Sequence, residues 1–105
     1  MEWAVAAGAD VNAVTKDDNT ALILASYRGH TETAQTLIKA GADANAALLN
    51  ASMEGHAEIA QTLVAAGADV NAVNKNGATA LILATDRGHT KIAQALVAAG
   101  ADVNA

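Results

Sequence analysis

The chain has no cysteine, no proline and no phenylalanine, and its only aromatic residues are Trp3 and Tyr27. Lack of cysteine excludes disulfide staples, thiolate chemistry and cysteine-ligated zinc; it fits a reducing compartment, and a cytoplasmic setting is expected. Lack of bulky rings excludes a core built around large aromatic side chains. Positive charge is also scarce, with 6 Lys and Arg against 11 Asp and Glu and a net charge of −5. That balance argues against nucleic acid, which selects for basic faces. No apolar run approaches the ~18 to 20 residues of a membrane span, and no signal-peptide pattern is visible. At 105 residues the chain is one small domain.

What the sequence has instead is alanine and repetition. The phrase Gly-Ala-Asp-x-Asn-Ala begins at Gly8, Gly41, Gly67 and Gly100, in steps of 33, 26 and 33 residues. A second phrase, Gly-His, keeps the same rhythm at Gly29-His30, Gly55-His56 and Gly88-His89. Two unrelated phrases on one irregular period mean a tandem array in which one copy is short by seven residues.

The fullest copies, Thr15 to Ala46 and Asn74 to Ala105, align without gaps. Each opens with a turn-prone stretch, Lys16-Asp17-Asp18-Asn19 or Asn74-Lys75-Asn76-Gly77. Thr20 or Thr79 then offers an N-cap to the helix formers Ala21 to Ala25 or Ala80 to Ala84. Gly29 or Gly88 ends that helix in a left-handed conformation. A second helix is expected over Thr31 to Ala40 and Thr90 to Ala99; in the last copy Ile92, Ala93, Leu96 and Val97 form one apolar stripe. Gly41 and Gly100 stop it. Helices this short are marginal alone and must pack on one another and on the next unit.

The period of 33, the Thr-x-Leu-x-x-Ala opening, Gly-His between two helices and the closing Gly-Ala-Asp-Val-Asn-Ala resemble the ankyrin repeat over essentially the whole chain. The family's Thr-Pro-Leu-His stands here as Thr20-Ala21-Leu22-Ile23 and Thr79-Ala80-Leu81-Ile82. The resemblance implies an all-α, ankyrin-like α-solenoid of stacked helix-turn-helix repeats with short β-hairpin fingers. Its expected divisions are a partial repeat over 1–13, a full repeat over 14–46, a shortened repeat over 47–72 and a full repeat over 73–105.

The seven residues absent after Ala46 correspond to the hairpin finger that ankyrin repeats project, so fingers are expected at Val14 to Asn19 and Val73 to Ala78 with a gap between them. The loss also removes the Thr cap of the third copy's first helix. Asn50 aligns with Leu24 and Leu83, an expected core position. A buried amide without partners costs ~1 to 3 kcal/mol, so Asn50 either bonds the Gly41 to Ala46 loop backbone, the preferred reading, or reaches solvent through a shifted helix. The first copy is only the tail of a repeat, and the last keeps Ile92, Leu96 and Val97 where a capping repeat substitutes polar residues. Both ends are therefore expected to be apolar, in a fragment of a longer array or in a chain that stacks end to end, with the Ala40 to Ala47 connection as a hinge for exchange.

Catalytic chemistry has no footing. His30, His56 and His89 share one repeat position and so lie about 9 to 10 Å apart, whereas zinc needs each ligand nitrogen within ~2.1 Å of one ion; a structural role is expected. Asp10, Asp43, Asp69 and Asp102 lack the calcium-loop pattern and read as loop braces. Ser26 and Ser52 have no nucleophile context. No catalytic residue, metal or cofactor is expected.

The positions that differ between copies stand just before each Gly-His and in the turn-prone stretches. In the ankyrin family these line the concave binding face. Carried over residue by residue, the resemblance implies a partner-binding face of Lys16, Asp17, Asn19, Tyr27, Arg28, Met53, Glu54, Lys75, Asn76, Ala78, Asp86 and Arg87. The leading expectation is thus a non-catalytic protein–protein interaction module, binding neither nucleic acid nor membrane, with self-association through its uncapped ends. The alternative, from another class, is an engineered or excised repeat scaffold with no natural partner, of use for folding or self-assembly.

Overall fold

Alanine-rich helices form here in pairs. In the structure, a computed structural model describing residues 13–15 and 19–101, there are six of them. They are α1 (Ala21–Arg28) with α2 (Thr31–Lys39), α3 (Asn45–Glu54) with α4 (Ala57–Ala65), and α5 (Ala80–Asp86) with α6 (Thr90–Ala98). Each first helix packs on its own partner and on the first helix of the next pair, and the second helices pack likewise in a row of their own. This is the nearest-neighbour architecture of a solenoid. The partial repeat over 1–13 lies outside the described residues save Ala13, as do the finger residues Lys16 and Asp17.

The core is the seam between the two rows. Leu22, Leu37, Leu48, Ile59, Leu63, Ile92 and Leu96 are fully buried, and Ala34, Ala47, Ala51, Ala60 and Ala84 fill the spaces between them. Each Leu or Ile so buried contributes about 1.5 to 3 kcal/mol; the alanines let helix backbones approach. Local signals set the boundaries. Thr20 Oγ1 accepts from the Ile23 N–H at 3.1 Å and Thr79 Oγ1 from the Ile82 N–H at 3.2 Å, each satisfying one of the free donors of a helix start.

The shortened copy is absorbed by converting loop into helix. In the copy that closes after α4, Asn71 and Ala72 belong to a turn, but their counterparts Asn45 and Ala46 are the first residues of α3. Helix α3 has no side-chain cap; its N-cap position is Ala44. Instead Asp43 Oδ1 accepts from the Asn45 N–H at 3.2 Å, and Asn45 Oδ1 accepts from the Asp69 N–H at 2.8 Å, tying this start to the loop after α4. Helix α3 still packs against both α1 and α5, so the row is continuous across the deletion.

Two expectations change. The finger over 73–79 is not a strand pair: a single antiparallel bridge joins Val73 to Thr79, with no other strand pairing among the described residues. The Asn74 N–H bonds the Ala78 carbonyl at 3.0 Å, and the equivalent bond runs from Thr15 to Asn19 at 3.1 Å. Asn50 does not occupy a core position; it, Leu24 and Leu83 are all half-buried, because this helix face borders the finger side and not the seam. Its Nδ2 donates to the Ala46 carbonyl at 3.0 Å, but Ala46 is now one turn earlier in the same helix, so the bond braces α3 and not a loop.

Candidate functional site

The Gly-His phrase fixes the main chain on which the variable residues stand. His56 Nε2 lies 3.1 Å from the Tyr27 carbonyl oxygen, and His89 Nε2 lies 3.2 Å from that of Met53. A carbonyl only accepts, so Nε2 is the protonated nitrogen in both rings. Each histidine thus reaches from the start of one second helix to the end of the preceding pair's first helix. The ring also lies over the preceding pair's glycine: a Cβ on Gly29 would meet His56 Cε1 at 2.6 Å, and one on Gly55 would meet His89 Cε1 at 2.6 Å. Glycine is needed there twice over, for its φ of +75° and +82° and for the room it leaves the ring. Gly88 has a φ of +74° but no described residue over it.

With the backbone so held, the side chains before each Gly-His are free to vary. Tyr27 is 48% exposed, Arg28, Asp86 and Arg87 are exposed, and Met53 and Glu54 are half-buried. Asp86 and Arg87 form a loose surface pair at 4.0 Å. Because these residues end α1, α3 and α5, they repeat along one edge of the stack. In the finger, Lys75 and Asn76 are exposed and Ala78 is half-buried; Asn19, half-buried, donates its N–H to Thr15 Oγ1 at 3.3 Å.

Of the residues singled out from the sequence, the structure brings Met53 and Lys75 together in one groove of about 310 Å³ where the third copy lacks a finger. Leu49, Val73 and Leu83 share it, as do Asn50 and Asn74. Sequence reasoning assigned none of these five to the face. Asn74 carried a usable signal: its Oδ1 accepts from the N–H groups of Asn76 at 2.9 Å and Ala78 at 3.0 Å and so braces the finger, and the aligned Thr15 puts a side-chain oxygen on Asn19. Asp69 Oδ1 accepts from the Asn71 N–H at 2.9 Å much as Asp43 serves Asn45, so both brace loops; Asp10 and Asp102 lie outside the described residues. Among the described residues no group of three His, Asp or Glu is placed to hold a metal ion, and no helix is long and apolar enough to cross a membrane.

Comparison with known families agrees with this geometry. The ankyrin repeat model, in 3 copies, matches residues 1–74 and 40–105. The search of curated proteins returned no match. Ankyrin repeats are generally protein–protein interaction modules. Paired short helices stacked in two rows, cross-linked by Gly-His and matched along the chain's full length, place it in that family: the chain belongs to the ankyrin repeat proteins.

Proposed function

We propose that this chain is a non-catalytic module that binds another protein through its concave face, formed by the ends of α1, α3 and α5 and by the finger. The observation that carries the reading is the contrast at Tyr27 and Met53. Their carbonyls are locked by histidines of the next pair, while Tyr27 is 48% exposed and both side chains differ between copies. A rigid backbone presenting variable side chains is what a recognition surface requires, and Tyr and Arg are the types enriched at binding hot spots. A cytoplasmic setting fits a chain without cysteine. The test uses the chain as bait beside two variants, Tyr27→Ala with Arg28→Glu on this face and Lys39→Glu on an outer helix. A captured protein lost with the first and kept with the second supports the reading; equal retention or equal loss overturns it.

A second reading, self-association, rests on the last described pair. Ile82 is 39% and Val97 49% exposed, whereas their counterparts Ile23, Leu49, Ile38 and Val64 are half-buried against a following pair. A second copy stacked on this face would cover them. Sedimentation from micromolar to millimolar concentration should show reversible association that Val97→Glu abolishes; monomer throughout contradicts it.

A further inference from the structure

One contact joins the pairs of this stack twice, and the two halves of a third lie open at its opposite ends. Each joint sets a histidine ring of one pair over a glycine of the pair before, with Nε2 on the carbonyl two residues ahead of that glycine. In the last described pair, Gly88 has a φ of +74°, matching +75° at Gly29, and no described residue over it. Asp86 stands two residues ahead of Gly88, and its carbonyl accepts no hydrogen bond from a described residue. The surrounding face is open too. Thr85 is exposed, whereas Ser26 and Ser52 at the same repeat position are fully buried, and Ile82 and Val97 are exposed with it. At the other end, His30 is exposed where His56 and His89 are half-buried, and its ring makes no hydrogen bond to a described residue. Donor and acceptor are thus left over at opposite ends of one chain.

We infer that the open α5–α6 face takes the α1–α2 pair of a second copy, head to tail, with His30 of that copy over Gly88 and its Nε2–H on the Asp86 carbonyl. Ile82, Thr85 and Val97 are then covered as their counterparts in the inner pairs are. The sequence singles out a second copy over an unrelated protein. Residues 5–13, 64–72 and 97–105 all read Val-Ala-Ala-Gly-Ala-Asp-Val-Asn-Ala. Residues 64–72 lead from α4 toward the pair α5–α6, so 97–105 can lead into α1–α2 of a second copy in place of its own 5–13, an exchange of like for like. A head-to-tail contact leaves each end free for another copy, so it builds open-ended chains and not closed dimers. The inference rests on the self-association reading and names the contact that specifies it.

The test mixes two variants that each keep one half of the joint. His30→Ala removes the ring at an exposed site, and Val97→Glu charges the open face. In sedimentation the unaltered chain is expected to pass beyond the dimer as concentration rises. Each variant alone should associate at least about tenfold more weakly. An equimolar mixture should regain the affinity of the unaltered chain and stop at a one-to-one dimer, because one variant supplies His30 and the other the open face. Imidazole nitrogen NMR adds a direct readout: a slowly exchanging Nε2–H from His30 should join those of His56 and His89 only at concentrations where the chain associates. Association that His30→Ala leaves unchanged, or a mixture no tighter than its parts, overturns the inference and leaves the self-association reading standing. So does a closed dimer that Val97→Glu abolishes and His30→Ala does not, which would pair two α5–α6 faces with each other. Monomer throughout overturns both.

Discussion

At the scale of single residues, glycine and histidine act as a pair, and their contributions separate cleanly. Gly29 and Gly88 share a φ near +75°, so alanine at either position meets the same backbone strain, of order 1 kcal/mol. Only Gly29 has a ring above it. Gly29→Ala should therefore lower the unfolding midpoint by clearly more than Gly88→Ala, and the excess should shrink when His56→Ala is the background; denaturant titrations of the unaltered chain, the three single variants and the Gly29→Ala, His56→Ala double variant check this. Ser26 and Ser52 make a different case. Both hydroxyls are fully buried with no hydrogen-bond partner among the described residues. Losing an unsatisfied hydroxyl removes a desolvation cost, so Ser52→Ala should raise stability by up to about 1 kcal/mol at unchanged m-value. A fall in midpoint would show that Ser52 has a partner. The Gly-His motif could be found in the sequence because its spacing repeats. Its mechanism could not, since the bonded carbonyls of Tyr27 and Met53 lie 29 and 36 residues away and a carbonyl carries no residue signature.

The positions of α1 and α5 were readable because local signals write them: Thr20 and Thr79 at the starts, Gly29 and Gly88 just past the ends, and alanine and leucine between. The cap is measurable at α5, only 7 residues long, whose first turn depends on Thr79 Oγ1. Thr79→Ala should cost about 1 kcal/mol by thermal or chemical unfolding, and Thr79→Asn should restore most of it. What was not readable was α3. Its first two residues, Asn45 and Ala46, belong to a phrase that the other described closing segment uses as a turn. The same letters become helix because the deletion joins them directly to Ala47 and Leu48, which are buried in α3, a tertiary effect that outweighs local propensity. For the same reason Asn50, placed in the core by alignment, bonds within its own helix. The groove depends on that change too. It exists only where α3 and the finger of the next copy face each other across an absent element, so residues such as Leu49 and Val73 give no sign of it in the chain order.

At the scale of the whole molecule the stack is continuous through the shortened copy, α3 packing on both α1 and α5. In a nearest-neighbour array each pair is stabilised by its own packing and by its neighbours. Among the three described pairs, α3 and α4 have a neighbour on both sides, through α1 and α5 and through α2 and α6. Native-state hydrogen exchange reads this directly, amide by amide. Leu48, Ala51, Ile59 and Leu63 are expected to exchange most slowly, with protection falling toward α1–α2 and α5–α6. Lowest protection in α3–α4, or independent opening of α1–α2 from the rest, would contradict that continuity and show that the missing seven residues break the stack.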